Sequence, residues 1–435
     1  MSAILSNTRP KAAASGESSV AAQNFKLRPL TGGAVLFDNR DDMTDGWACA
    51  HGGEPFRIRN PSHLPNDVIW VCNAEYNTFQ LQQSRLHHLR RDDYFRATLA
   101  HIAADLGMRI EGEYARTTVQ KLGEIVHRTF TQAVTLYGRN GLPLAPREGT
   151  LAEDIRRTMP AMSGLTGADY LRQPLAAAYQ SYSTPIWSDR RDLVGDLVSV
   201  LLRLNRVDYA NALLSKPVPD EAWHYVPEEA VKGAIDPWLD PARPSLVEVQ
   251  VVLQDEIGEL IAYGAQPGKR AGLRTWVSQP ELEVLVKHAE VYVKAAFCCR
   301  HPHALPESYQ LPMALQPATD PALSMVYSAG LIAECHWHAL ANPPWSRQRR
   351  ETETFPINVW QRAYDRAACF EKALMAFNEG FVVKGYGNGS LLLRVPRDEL
   401  RRLLRFAMRE GFMHPSFPAI FLEHDATLPD LLEDL

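Results

Sequence analysis

The chain has 435 residues, 46% of them apolar and 22% charged. That is the composition of a folded protein with one large core or two to three domains, and it excludes a disordered polymer. The net charge is −5 at pH 7, and the final segment EHDATLPDLLEDL accounts for it with Glu423, Asp425, Asp430, Glu433 and Asp434 and no Lys or Arg. The body is therefore neutral, which argues against a nucleic-acid binder with a general basic excess.

Residues 1–25 are rich in Ala and Ser, have few large apolar side chains, and read as a flexible arm. They lack the continuous apolar stretch of a secretory signal. Six cysteines in so long a chain suit reduced thiols, so the expected location is cytoplasmic or within a virion and not secreted.

Residues 26–150 read as mixed strands followed by helices. GAVLFD, PFRIR and DVIWVC are strand-like pieces between Gly, Pro and Asn punctuation. In RDDYFRATLAHIAADLG, Phe95, Leu99, Ile102 and Leu106 recur at helical spacing, with Asp92 as the cap and Gly107 as the stop. Val119, Leu122, Ile125, Val126, Phe130, Ala133 and Val134 form a second helical stripe, and Gly138 to Thr150 is a candidate boundary.

Residues 151–345 read as mainly helical with long ordered loops. Leu193, Val194, Leu197, Val198, Leu201 and Leu204 predict a helix capped by Ser188. It is too short and too charged, with Asp196, Arg203 and Arg206, to span a bilayer. The proline-dense stretch from Pro217 to Pro244 carries Trp223, Tyr225 and Trp238, which suits a loop pinned to a surface or a partner. LVEVQVVLQ predicts a strand, PELEVLVKHAEVYVKAAF a single helix, and Ser324 to Leu340 another.

Residues 346–435 read as a small α+β unit with an acidic tail. Trp360, Ala363, Ala367, Phe370, Leu374 and Phe377 mark a helix ending at Gly380. FVVKGYGNGSLLLRV is a hairpin turning at Asn388-Gly389, RDELRRLLRFAMREG a helix, and FPAIFLEH a last strand. The expected fold is mostly α with α+β elements: helical blocks separated by Pro-rich loops, then a C-terminal α-β-β-α-β unit.

The chemistry-bearing residues are few. Cys298, His301, Cys335 and His338 form two Cys/His pairs that could close on one zinc, with Cys299, His303 and His336 as spares. The competing reading is two buried thiols with histidines at the rim of packed helices. DDMTDG from Asp41 to Gly46 has Met43 where a calcium loop needs an oxygen ligand, and reads as a polar turn. GAQPGKR is one residue short of a phosphate loop, and GYGNG lies between two strands and so is a hairpin, not a dinucleotide site. Arg347, Arg349 and Arg350, like the His87, His88, Arg90 and Arg91 group, could touch phosphate; each cluster is followed at once by acids and reads more readily as a solvated helix end. Trp223, Trp238 and Trp345 are candidate interface anchors. There is no H-E-x-x-H, G-x-S-x-G or kinase signature.

A polar arm, helical blocks, aromatic-bearing proline loops and no catalytic motif suit a protein that assembles with copies of itself. In that organisation, though in no motif, the chain resembles the small coat proteins of double-stranded RNA viruses of the partitivirus type. The resemblance implies a non-enzymatic, self-assembling capsid protein enclosing RNA, with no cofactor and no membrane partner. Two alternatives remain open. One is a nucleic-acid-associated accessory protein of a bacterial mobile element, using Arg347 to Arg350 and the Gly385 to Gly389 hairpin on RNA or DNA. The other is a zinc-dependent enzyme built on the Cys298/Cys335 pairs.

Overall fold

The computed structural model describes residues 31–82, 88–138, 149–159, 169–182, 195–219, 223–231, 234–252, 276–315, 323–346 and 351–413. The N-terminal arm, Ser188, the 264–270 segment, Arg347, Arg349, Arg350, the FPAIFLEH stretch and the acidic tail lie outside the described residues.

The first sheet follows from three short apolar runs joined by tight turns. β1 (Thr31–Asn39), β2 (Thr44–Ala50), β3 (Phe56–Ile58), β4 (Val68–Cys72) and β5 (Leu89–Arg91) lie in the order β3-β2-β1-β4-β5. The β1–β2 and β2–β3 pairs are antiparallel, whereas β1–β4 and β4–β5 are parallel, with α1 (Tyr76–Gln82) between β4 and β5. A turn over residues 40–43 joins β1 to β2, and the second half of DDMTDG, from Thr44, is already strand. Asn39 Oδ1 accepts from the Asp41 and Asp42 amides, and Met43 is fully buried. The polar turn is thus confirmed, with an apolar plug where a cation ligand would stand.

Alternation sorts this sheet's side chains. Val35, Phe37, Ala48, Trp70 and Cys72 pack on one face; Ala34, Leu36, Cys49 and Val71 pack on the other. Two helices follow, α2 (Leu99–Asp105) and the long α3 (Tyr114–Tyr137). α3 lies directly on β1 and β2 because two glycines remove the obstacle: a Cβ on Gly32 would sit 2.7 Å from His127 Cα, and one on Gly123 2.5 Å from Cys49 O. Then come α4 (Leu151–Thr158), opened by a Thr150–Glu153 capping box, and α5 (Arg172–Tyr182).

The next segment departs from its helical stripe. Leu197 to Leu204 is a strand, β6, followed by α6 (Arg206–Leu214). Short β7 (Val218–Pro219) and β8 (Trp223–Val226) lead through α7 (Glu228–Val231) to β9 (Ser245–Val252) and β10 (Trp276–Ser278). PELEVLVKHAEVYVKAAF also divides, into α8 (Gln279–His288) and β11 (Glu290–Cys299). Its second half carries Val291 and Val293 inward against Glu290, Tyr292 and Lys294 outward, a period of two that a strand satisfies and a helix does not. β11 is central in an antiparallel sheet of order β10-β9-β11-β8. β12 (Pro302–His303) pairs with β7.

α9 (Leu323–Ala341) and β13 (Trp345–Ser346), paired with β14 (Glu351–Thr352), precede the C-terminal unit. That unit contains the expected helix, hairpin and helix, α10 (Pro356–Asn378), β15 (Val382–Gly387), β16 (Ser390–Pro396) and α11 (Leu400–Arg409), and then a strand that was not expected, β17 (Phe412–Met413), ahead of FPAIFLEH. β6 inserts between β16 and β17, giving the sheet order β15-β16-β6-β17. One core serves this sheet, the β9–β11 sheet and α10, and includes Val200, Leu202, Val247, Val293, Phe370, Leu393 and Leu403. The architecture is mixed α+β. No helix among the described residues is long and apolar enough to cross a membrane.

Candidate functional site

The helices α10 and α11 cover one face of the β15-β16-β6-β17 sheet. Along β16, Leu391, Leu393 and Val395 are buried while Leu392 and Arg394 are exposed; along β6, Val200 and Leu202 are buried while Ser199 is exposed and Leu201 and Arg203 are partly so. The register places Ser390 beside Arg203, Leu392 beside Leu201 and Arg394 beside Ser199. Cross-strand neighbours share a side, so these six residues form one open face: two arginines, two serines, two leucines and no carboxylate.

The face ends in a cleft enclosing about 140 Å³. Its walls come from β6 (Leu201, Arg203, Leu204), α6 (Arg206, Tyr209, Ala210), α9 (Glu334, Trp337), the β15–β16 turn (Asn388, Gly389, Ser390) and Arg96. Three guanidinium groups meet the Glu334 carboxylate there, with Asp105 behind two of them.

Each wall is locally determined. Asn388 and Gly389 both have positive φ, 54° and 67°, the two-residue hairpin turn that the Asn-Gly pair predicts. Asp365 on α10 holds the turn: its carboxylate accepts from the Asn388 amide at 2.7 Å, the Gly389 amide at 2.8 Å and the Tyr209 hydroxyl at 2.9 Å. Burial pushes the Asp365 carboxyl above its ordinary range, while Arg362 and these donors oppose the shift. Arg362 donates to the Asn388 and Asn342 side chains and lies over the Trp337 ring, 5.1 Å from its centroid.

Arg96 sits where the helix expected from Asp92 onward is interrupted. Residues Asp92–Phe95 form a 3-10 turn, Arg96 is left-handed with φ 59°, and α2 starts only after Thr98. The N-cap of α2 is Thr98 and not Asp92, its hydroxyl accepting from the His101 amide at 3.1 Å; Asp92 instead braces the helix start from the 3-10 turn, its Oδ2 accepting from the Leu99 amide at 3.0 Å. The break turns Arg96 out of the helix, and its exposed side chain has no hydrogen-bond or ion-pair partner among the described residues.

Arg203 and Arg206 are anchored from behind. Asp105 at the end of α2 accepts from Arg203 Nη1 at 2.6 Å and from the Tyr327 hydroxyl at 2.5 Å, and lies 3.8 Å from Arg206 Nη2. Arg206 Nε pairs with Glu334 at 3.1 Å. The Arg206 side chain is 10% exposed, and its Nη1 has no hydrogen-bond partner. Burial disfavours its charge, but Glu334, Tyr327 and Asp105 outweigh that and hold its pKa above the ordinary arginine value.

The expected zinc ligands do not converge. Cys298 on β11 lies in the core shared by the two C-terminal sheets, whereas Cys335 on α9 lies in the core around α3, its thiol directed at Phe95 O. His301 is exposed; His338 is buried, and burial together with Arg362, Arg96 and Arg156 drives its pKa well below the ordinary value. Of the spares, Cys299 donates to His301 O, His336 is bound between the Tyr137 hydroxyl and Tyr309 O, and His303 is exposed. Among the described residues no group of three or more His, Cys, Asp or Glu is placed to hold a metal ion.

The aromatic anchors are also corrected. Trp223 is buried against Trp360, with ring centroids 5.9 Å apart, and Trp238 is buried with its indole N–H on Ala234 O. Trp345 lies on β13. Of the histidine–arginine group, Arg90 and Arg91 lie on β5, with Arg91 paired to Asp93.

No protein-family model and no curated protein matches the chain. Among solved structures it is similar to Phi29 DNA polymerase. An orthorhombic crystal form gives a TM-score of 0.47 at 11% identity, covering 84% of this chain and 80% of that one. The post-translocation complex with primer-template DNA gives 0.45 at 10% identity over the same shares. A ternary complex with primer-template DNA and incoming nucleotide gives 0.40 at 13% identity, covering 64% of this chain. In that complex and in the one with single-stranded DNA, the chain spans 53% of the polymerase's length. These neighbours are DNA polymerases, none of them a coat protein, and the capsid and virion reading is withdrawn because its physical premise fails: Trp223 and Trp238 are buried within their own chain and do not wait for a sister subunit.

Proposed function

We propose that this chain is a nucleic-acid-binding protein and that the open face of β6 and β16 is its binding surface. The observation that carries the reading is the composition of that face: an exposed Arg394 and, at the cleft end, Arg203 held by Asp105, with two serines and two leucines between them. A strand of nucleic acid offers a row of phosphates, which planar guanidinium groups engage through paired hydrogen bonds. It also offers base faces, for which Leu201 and Leu392 supply apolar contact. The neutral overall charge is compatible with this, because the positive potential is local to one face and not spread over the molecule.

The test is fluorescence anisotropy with labelled single-stranded and duplex oligonucleotides across a salt series. Binding that weakens as salt rises is expected, and Arg394→Glu should reduce affinity by about tenfold or more, equivalent to about 1.4 kcal/mol. Arg394 is exposed on the open face, so the fold tolerates the change. Absence of salt-sensitive binding to either oligonucleotide at low ionic strength overturns the reading.

A further inference from the structure

We propose that the cleft at the end of the open face is a seat for one phosphate monoester group, such as the terminal phosphate of a strand lying on that face. The inference rests on the nucleic-acid reading for its source of phosphate, but the seat is defined by its own geometry.

Three features define it. The first is charge. Arg96, Arg203 and Arg206 line the cleft with Glu334; Asp105 behind it pairs with Arg203 and approaches Arg206, so three cations face two acids and one positive charge, that of Arg96, is left for a phosphate group. The second is an unused donor. Arg206 is nine-tenths buried, its Nε is committed to Glu334, and its Nη1 has no hydrogen-bond partner. A buried guanidinium N–H without an acceptor costs free energy that a phosphate oxygen would recover. Arg96 supplies the exposed counterpart, a side chain with no partner among the described residues. Arg203 is already oriented by Asp105.

The third is size and closure. The enclosed space of about 140 Å³ falls below the roughly 300–1,000 Å³ of pockets that take whole small ligands. It is large enough to admit a phosphate group. Trp337 and Ala210, both buried, are among its walls, which suits the end of a strand more than a strand passing through. The two backbone amides of the hairpin turn are already bonded to Asp365, so recognition falls to the arginines.

The experiment compares one oligonucleotide sequence with a 5′-phosphate, a 3′-phosphate or two hydroxyl ends, together with inorganic phosphate followed by calorimetry. These are measured on the wild-type chain, Arg96→Ala and Arg206→Lys. Arg96→Ala removes an exposed, unpartnered side chain and so keeps the fold; Arg206→Lys keeps the buried charge but not the planar fork. One phosphorylated end should bind about tenfold tighter than the hydroxyl-ended strand, and both substitutions should bring that ratio to about one. Equal affinity of all three oligonucleotides for the wild type overturns the seat while leaving the nucleic-acid reading standing. Inorganic phosphate that binds the wild type and not Arg96→Ala, with no oligonucleotide bound, supports the seat and removes the strand as its source. No binding of any probe overturns both.

Discussion

Arg203 and Asp105 stand 98 positions apart in the chain and meet at 2.6 Å. The same carboxylate oxygen takes the Tyr327 hydroxyl and lies 3.8 Å from Arg206. One acid at the end of α2 thus fixes two of the three arginines of the cleft. The Arg203 and Asp105 side chains are 16% and 10% exposed, so removing the acid leaves Arg203 largely buried and uncompensated and leaves Arg206 with Glu334 alone. Asp105→Ala should cost about 3 kcal/mol or more in a urea melt. Asp105→Asn keeps an acceptor oxygen for Arg203 and Tyr327 and should cost less. If the two variants are equally stable and match the wild type, the carboxylate is not what holds the arginines.

The hairpin turn admits one residue type at position 389. Its φ of 67° is left-handed, and a Cβ there would lie 2.9 Å from Tyr209 Cδ1 and 3.0 Å from Cε1. Gly389→Ala therefore meets backbone strain and a ring clash together, and should lower stability by about 1–3 kcal/mol. Because Tyr209 and Gly389 both line the cleft, the displaced ring should also alter oligonucleotide affinity. Asn388→Gly occupies the same turn without strain and serves as the control. Thermal melts of the two variants check the order.

Much of the C-terminal unit was legible because its signals are local. The Asn388-Gly389 pair names its own turn, and the stripe from Trp360 to Phe377 is a helix at every step. β6 was not legible in the same way. Leu197, Val198, Leu201 and Leu204 fit a helical stripe, yet Val200 and Leu202 inward against Ser199, Leu201 and Arg203 outward fit a strand. Eight residues do not decide between the two periods, and β16, nearly two hundred residues away, decides it by pairing. The cleft was hidden for a related reason. Arg96, Arg203 and Arg206 belong to no motif, and Arg203 and Arg206 registered in the sequence only as charges that bar a membrane span. The signal that could have exposed Arg203 was its place in the polar half of the β6 alternation. The Gly385 to Gly389 hairpin, weighed from sequence as a nucleic-acid contact, does supply a cleft wall.

The two tryptophans that replaced an expected interface carry a contrast within one residue. Trp223 packs edge-on against Trp360, but its indole N–H is buried without a hydrogen-bond partner. Trp223→Ala should destabilise the chain by about 3–5 kcal/mol through the cavity it opens. Trp223→Phe removes the unsatisfied donor together with part of the ring, so its cost should be much smaller. Denaturant midpoints separate the cases, and equal losses from both substitutions would falsify the claim that the indole nitrogen is a liability at this site.

Two buried groups make stability depend on pH in opposite directions. Asp92, whose carboxyl takes the Leu99 amide seven residues on, is pushed by burial from an ordinary 3.8 up to about 6. The native state then holds a proton between those values that the unfolded chain has released, so this group's contribution falls as pH rises from about 4 to about 6. His336, buried between the Tyr137 hydroxyl and Tyr309 O, is driven by burial from 6.5 down to about 4. There the unfolded chain takes the proton first, so the histidine's contribution falls as pH drops through the same window. Displacing either pKa by one pH unit changes stability by roughly 1.4 kcal/mol, and in the wild type the two slopes oppose each other. Asp92→Asn, which keeps an acceptor for the Leu99 amide, should leave stability falling more steeply on acidification from pH 6.5 towards 4. His336→Gln should leave it falling as pH rises from 4 towards 6. Chemical denaturation of the three proteins across that range tests the pair, and parallel curves would remove both assignments.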